Sequence, residues 1–286
     1  MTVPGKEWGW QSVYPAPAKI NLFLHVVGRR ADGYHLLQTL FRLLEHGDSL
    51  RFAPRDDGVV SLATPLPGVP PETDLTVRAA RLLQAETGCR AGVEISVEKR
   101  LPMGGGLGGG SSDAATVLLA LNHLWGLGLP CQRLQEIGLG LGADVPVFVF
   151  GRNAFAEGVG EALVPVDLPQ AWYVVLEPPV MVSTAVIFTA PGLKRDTAPI
   201  GFDAWHPGFG GNDLEPVAIS RFPVVLEYMR WLSAFGQVRM SGSGACVFAE
   251  FAQREEAQMV LNQLPQGMRG WLAAGLVHHP LRDLAA

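Results

Sequence analysis

The chain has 286 residues, 48% of them hydrophobic and 17% charged, with 22 Lys and Arg against 27 Asp and Glu for a formal net charge of −5. That length corresponds to roughly two domains of ordinary size, and the apolar content excludes a disordered chain. The acidic balance argues against a nucleic-acid binder, which needs a basic surface.

Cys89, Cys131 and Cys246 are far apart and form no CxxC pair, so they offer neither a disulfide framework nor a zinc knuckle. They read as small core residues in a reducing compartment. Residues 1–11 include Lys6, Glu7, Trp8 and Trp10 but no continuous apolar core, unlike a signal peptide. No apolar run approaches the roughly 18 residues of a membrane span. The expectation is a soluble, cytoplasmic protein without a membrane partner.

The first element is a strand over 15–27. Alternation puts Ile20, Leu22, Leu24 and Val26 on one face and Lys19, Asn21, Phe23 and His25 on the other. A turn at Arg29 to Gly33 follows, then Tyr34 and His35. The apolar spacing of Leu36, Leu37, Leu40, Phe41 and Leu44 is compatible with a helix or a long strand. Residues 64–73 hold four prolines and read as a surface loop. A helix is expected over 74–86 and a half-exposed strand over 93–98.

That strand leads into Pro102-Met-Gly-Gly-Gly-Leu-Gly-Gly-Gly-Ser-Ser-Asp113, with six glycines in seven positions. Ala114, Val117, Leu118, Leu121, Leu124 and Trp125 then recur at helical spacing, with Ser111 or Ser112 as the expected N-cap. Glycines bring backbone N–H groups close to an anion, and the positive end of the helix dipole faces the same place. A P-loop needs a Lys before the Ser, and here Gly110 stands there. A dinucleotide fold wants an acid about 20 residues on, and none lies between Asp113 and Glu136.

A second, shorter helix (Leu134, Ile137, Leu141) precedes Gly142-Ala-Asp-Val-Pro146 and the apolar run 147–150. Gly158 and Gly160 mark a hairpin. The hydrophobic pattern pauses at Asp167 to Gln170, the expected domain boundary. Beyond it come a strand at 173–176, a helical stretch near Ile187 and a Gly/Pro-rich loop over 197–211. A helix from about Asp213, a strand at 245–251, a helix at 255–264 and a final strand at 271–277 complete the chain. There is no internal repeat. The seven histidines show neither HExxH nor a paired i, i+4 spacing, so no zinc site is expected.

Pro102 to Ser112 resembles the nucleotide-binding motif of the GHMP kinases, the superfamily of galactokinase, homoserine, mevalonate and phosphomevalonate kinases. The two flanking motifs of that superfamily are matched in order, as PAKINLFL and SGSGACVF. Four segments are similar to the branch that acts on a CDP-linked methylerythritol in the non-mevalonate isoprenoid route: PAKINLFLHVVGRRADGYHLLQTLF, KRLPMGGGLGGGSSDAATVLLALNHLW, LGADVPVFVFG and SGSGACVFAEF. The similarity runs from about Pro15 to the last strand, which leaves the first dozen or so residues as an extension.

The resemblance implies an α/β (α+β) fold in two domains with ATP and substrate in the cleft between them. The first, over 1–168, is the ATP-binding domain of ribosomal-protein-S5-like type; the second, over 169–286, is ferredoxin-like. It implies ATP-dependent phosphorylation of the 2-hydroxyl of the CDP-linked methylerythritol, with Mg²⁺ and with no nucleic-acid partner.

The same resemblance makes Pro102, Met103, Gly104, Gly105, Gly106, Leu107, Gly108, Gly109, Gly110, Ser111 and Ser112 the ATP cradle. Asp144 matches the catalytic base and Lys19 the catalytic lysine that orients it. Read alone, Asp144 is better taken as a helix N-cap, although its apolar setting is costly for an unpaired carboxylate. Asn21 contacts substrate or fixes the lysine. Tyr34, His35 and Phe188 match the positions that hold the cytidine ring; without the resemblance Tyr34 and Phe188 read as core. Ser241 to Gly244 shapes the cleft or is simply a tight turn. The Mg²⁺ ligands stay open among Ser111, Ser112 and Asp144.

The alternatives are another small-molecule kinase of the homoserine or mevalonate type and a non-catalytic nucleotide-binding regulator. Homoserine and mevalonate carry no base for Tyr34 and His35 to stack, and mere ATP binding needs neither Lys19 nor Asp144.

Overall fold

In the computed structural model, which describes residues 7–285, β1 (Tyr14–Arg29) turns at Asp32-Gly33 and returns as β2 (His35–Arg55). Residues 1–6, half of the expected extension and of the segment read for a leader, lie outside the described residues. The segment compatible with helix or strand is the first half of β2. It pairs with β1 on one edge and with later strands on the other, and its apolar residues face both ways.

After β3 (Val60–Leu62) and the proline-rich loop comes α1 (Leu75–Thr87). Asp74 caps it, accepting from the Thr76 amide at 2.8 Å. β4 (Gly92–Glu98) delivers the chain to the glycine loop and α2 (Gly109–Leu124). The N-cap expected at Ser111 or Ser112 is instead Gly108, at φ +71°. A cap in the left-handed region favours glycine over a β-carbon-bearing residue. Ser112 already lies in the first turn, its N–H bonded to the Gly108 carbonyl.

α3 (Cys131–Leu139), α4 (Val145–Phe150) and the hairpin β5 (Ala154–Glu157) and β6 (Ala162–Pro165) complete the first layer system. Its six-stranded sheet runs β3-β4-β2-β5-β6 with β1 along β2. β7 (Trp172–Leu176), α5 (Thr184–Phe188), α6 (Glu215–Arg221), α7 (Pro223–Leu232), β8 (Val238–Met240), β9 (Val247–Phe251), α8 (Arg254–Leu261) and β10 (Gly270–Ala274) follow. The second sheet is antiparallel, in the order β10-β7-β9-β8. The loop expected over 197–211 is irregular apart from a 3₁₀ turn at Phe202–Ala204. The final strand ends at Ala274, earlier than expected, because the Leu276 amide crosses to the Leu43 carbonyl of the first sheet.

β1 is buried on both faces, and this positions the site. α2 covers it on one side, where Ser112 and Thr116 donate their hydroxyls to the carbonyls of Pro17 (2.7 Å) and Pro15 (3.1 Å). On the other, Ile20, Leu22 and Phe23 pack with Leu40 and Leu44 against Tyr173, Val175 and Phe248 of the second sheet. Each such side chain contributes about 1.5–3 kcal/mol on burial, so this joint holds the two sheets together. A bulge between Asn21 and Leu24 then turns Leu24 and Val26 into the core of the second sheet. The strict alternation expected across 20–26 is broken there.

All three thiols are free; Cys246 is buried and the other two are half-buried. No helix among the described residues is long and apolar enough to cross a membrane.

Candidate active site

A cavity of about 870 Å³ lies between the glycine loop, the β1–β2 turn, α5 and the turn before β9. The loop's orientation follows from its carbonyls. Gly104 accepts from the Ala245 and Val182 amides, Gly105 from the Cys246 amide, Gly106 from the Ser241 hydroxyl (2.8 Å), Leu107 from the Lys19 amide and Gly108 from the Ser112 amide. With these carbonyls turned into the protein, the N–H groups from Met103 to Ser111 have no partner among the described residues. They form a nest at the N-terminus of α2, a geometry suited to an anion. Gly106 must be glycine: its φ is +73°, and a β-carbon there would lie 2.0 Å from the Ser241 carbonyl oxygen.

Pro102, Met103, Gly104, Gly105, Gly106, Leu107, Gly108, Gly109, Gly110 and Ser111 all line the cavity. Ser112 does not: it is fully buried, with its hydroxyl on Pro17 and its amide on Gly108. Ser112 turns away from the cavity because the N-cap of α2 lies at Gly108, three or four residues earlier than a serine cap would place it.

Lys19 is 3% exposed, and its Nζ donates to Asn21 Oδ1 at 2.8 Å and lies 3.3 Å from Asp144 Oδ2. The ammonium also sits 5.3 Å from the centre of the Phe41 ring. Asn21 in turn donates from Nδ2 to Thr39 Oγ1 at 2.8 Å, and Thr39 donates to the Phe23 carbonyl. Both ends of the Asn21 amide are thus used to hold Lys19 in place, although Asn21 also borders the cavity. Asp144 occupies the N-cap position of α4, but its side chain makes no capping bond. Its carboxylate is 35% exposed and turned to Lys19 and the cavity. Chain segments 125 residues apart meet here because β1 and the start of α4 both pack against α2.

Tyr34, His35 and Phe188 line the opposite part of the cavity. The rings of His35 and Phe188 are 4.9 Å apart and inclined at 39°. Tyr34 is 64% exposed, so its reading as core fails. An Asx turn holds it, the Asp32 carboxylate accepting from the Tyr34 amide at 3.2 Å. Phe188 is half-buried at the end of α5. The turn Ser241 to Gly244 is both things the sequence left open: Ser241 braces the glycine loop, while Gly242 and Ser243 border the cavity.

Sequence reasoning missed a charged cluster beneath the loop. Lys99 pairs with Asp48 and with Asp113, the latter at 2.7 Å. Asp48 also accepts from the Arg100 amide (2.5 Å) and the Leu101 amide (2.8 Å), fixing the chain where it enters the loop. Burial works against the Lys99 charge, but the two carboxylates outweigh it and hold its pKa up. Burial, with Asp48 adding, raises Asp113 to about 7 despite Lys99. One lysine cannot neutralise two buried carboxylates. Lys99 was legible, being the lysine nearest ahead of the loop; Asp48 was not, since its partners lie more than 50 residues away. No group of three or more His, Cys, Asp or Glu among the described residues forms a metal cluster.

Residues 74–152 match the GHMP kinases N terminal domain and residues 202–270 the GHMP kinases C terminal domain. A 4-diphosphocytidyl-2-C-methyl-D-erythritol kinase of Dechloromonas aromatica is 61% identical over 274 residues, covering 96% of this chain and all of the relative. One of Thiobacillus denitrificans is 61% identical over 270 residues, 94% of this chain and 97% of that protein. A crystal structure of 4-(cytidine 5′-diphospho)-2C-methyl-D-erythritol kinase superposes with a TM-score of 0.79 at 37% identity, covering 92% and 99% of the two chains. A homoserine kinase from Cytophaga hutchinsonii, at 16% identity and a TM-score of 0.61 over 93% and 94% of the chains, shares the fold. Both domain matches and this level of identity over nearly the full length lead to one conclusion: the chain belongs to the GHMP kinases, in the family of the 4-diphosphocytidyl-2-C-methyl-D-erythritol kinases.

Proposed function

We propose that the chain transfers the γ-phosphoryl group of ATP to the 2-hydroxyl of 4-diphosphocytidyl-2-C-methyl-D-erythritol, with Asp144 as base. The observation that carries this reading is the Lys19–Asp144 contact of 3.3 Å inside the cavity that also holds the glycine nest and the His35–Phe188 pair. The phosphates rest on the free N–H groups of the loop. The cytosine lies against Tyr34, His35 and Phe188, whose rings supply stacking faces. The acceptor hydroxyl then meets Asp144. Its oxygen bonds to the γ-phosphorus as the bond to the β–γ bridging oxygen breaks; its proton passes to the Asp144 carboxylate and ADP leaves. Lys19, held by Asn21, fixes the carboxylate and sets a positive charge beside the oxygen that loses its proton.

The donor set fits a Mg²⁺ ion that arrives with ATP. Such an ion takes one or two protein oxygens and completes its shell with phosphates and water; Ser111 borders the cavity and could supply one, while Asp144 is left to the acceptor hydroxyl. When bound, the ion neutralises phosphate charge. Ser112 is not part of that set, its hydroxyl being bonded to Pro17.

Residues 1–168 serve as the ATP-binding domain and 169–286 as the C-terminal domain. The passage from one sheet to the other between Pro165 and Trp172 supports that division. The return of Leu281 and Ala285 to the first core ties the two parts together. Use of ATP as co-substrate is compatible with the expected cytoplasmic location.

ADP release from MgATP, compared for the CDP-linked methylerythritol, homoserine and mevalonate, tests the proposal. Turnover with the cytidine compound alone is expected. Tight ATP binding without turnover on any of the three would refute it.

A further inference from the structure

One arginine grips the base-binding end of the cavity from behind. Arg195, in the irregular chain after α5, donates from Nε to His35 Nε2 at 3.0 Å. From Nη2 it donates to the carbonyls of Phe188 (2.9 Å) and Ala190 (2.8 Å), and from Nη1 to that of Leu193 (3.0 Å). One planar guanidinium thus ties the His35 ring to the segment that carries Phe188.

A guanidinium has five N–H donors and no acceptor. The ring atom facing Nε must therefore carry a lone pair. A flipped ring would present carbon there, and the imidazolium or the Nε2–H tautomer would set one N–H against another. His35 is accordingly neutral with its proton on Nδ1, the less populated tautomer of a histidine side chain in water. Burial, with Arg195 and then Arg29 adding to it, pushes His35 below the ordinary imidazole range, in line with a neutral ring. Its Nδ1 has no hydrogen-bond partner among the described residues, and the ring lines the cavity.

We propose that Arg195 is a positioning residue that sets base specificity: by locking His35 as the Nδ1–H tautomer against Phe188, it presents a single hydrogen-bond donor to the base. Cytosine offers acceptors at both O2 and N3. Both bases accept at O2, so the choice falls at N3, the edge this N–H is taken to face, where cytosine accepts and uracil carries an opposing N–H. A buried donor left facing a donor rejects the wrong base more strongly than a change of shape does. The inference rests on the reading of Tyr34, His35 and Phe188 as the base site.

The first arm is ¹⁵N NMR of the His35 ring in the unliganded, full-length protein. Nδ1–H is expected in the wild type, and Nε2–H or a mixture in Arg195→Met. Nε2–H in the wild type overturns the inference without any variant. The second arm is titration calorimetry with CDP and UDP. CDP is expected to bind at least about tenfold more tightly than UDP to the wild type. Arg195→Met should lose about tenfold in CDP affinity and bring the CDP-to-UDP ratio near one, with KM for ATP unchanged. Arg195→Lys, whose ammonium still donates to Nε2, should keep the tautomer and most of the ratio, and it supplies the comparison if Arg195→Met does not fold. A ratio unchanged in a folded Arg195→Met protein overturns the inference. Tyr34→Ala separates this outcome from failure of the base-site reading. If it leaves CDP binding intact, the base site itself is misassigned; if it weakens CDP while Arg195→Met leaves the ratio alone, only the role of Arg195 falls.

Discussion

Asp144→Asn removes the proposed base while keeping its shape, and the structure lets its effects on chemistry, binding and stability be separated. General-base catalysis is worth on the order of 10²–10⁴ in rate, about 3–5 kcal/mol of barrier. Stability should change little. The carboxylate makes no capping bond, so α4 loses nothing, and its pairing with Lys19 at 3.3 Å is more than a third open to solvent on the aspartate side. Such a pair contributes about 1 kcal/mol or less. Lys19 retains Asn21 as a partner at 2.8 Å, and the asparagine oxygen can still accept from it. The glycine nest lies on other elements, so ATP affinity should change by less than about threefold. The assay is steady-state ADP release with the CDP-linked substrate, alongside calorimetric ATP binding and a thermal melt. Turnover slowed by about a hundredfold or more, with ATP binding and the melt preserved, is the expected result. Turnover within about threefold of wild type would refute the base assignment, and an equal loss of ATP affinity would move Asp144 from chemistry to nucleotide binding.

Three further outcomes are expected. Tyr34→Ala, at an exposed ring held only by its turn, should raise KM for the cytidine substrate by about tenfold and leave KM for ATP and the melt unchanged; equal losses for both substrates would place Tyr34 in the fold. Gly106→Ala forces a β-carbon to within 2.0 Å of the Ser241 carbonyl oxygen at a left-handed φ, so a loss of about 2 kcal/mol or more in stability and weakened ATP binding should appear together in denaturation and calorimetry. Asp113 has a raised pKa in the folded protein, so its contribution to stability is fully present below the ordinary carboxylate value of 3.8 and is lost as pH rises through about 7. Asp113→Asn should flatten the pH dependence of unfolding across that window and leave the variant at least as stable as wild type at pH 8; a variant with an unchanged pH slope would show that Lys99 compensates fully.

The chemistry of the nucleotide end was legible in the sequence because it is local. Six glycines at the junction of a strand and a helix, the last two in the helix's first turn, act through their own backbone, and the same short stretch supplies both the nest and the dipole that faces it. Even so, the helix start was misplaced, since serine's general preference for the N-cap gave way to a glycine that alone tolerates the backbone angle there. Without the family resemblance, Asp144 reads better as a cap. Only the folded chain shows its carboxylate making no capping bond and turned to a lysine 125 residues earlier.

Features carried within a single element could be read along the chain: helix periodicity in α1, α2 and α8, the turn at Asp32-Gly33 and the three motifs that mark the family. Features that depend on two elements meeting could be seen only in the folded chain. β1 is covered on both faces, so alternation could not say which side Lys19 and Asn21 would take, nor that both would be buried. The pairing of Lys99 with Asp48 and Asp113, and the grip of Arg195 on His35 and Phe188, join residues from distant parts of the chain. A hydrogen bond depends on distance in space, and separation along the chain leaves no local pattern from which such a partner can be read.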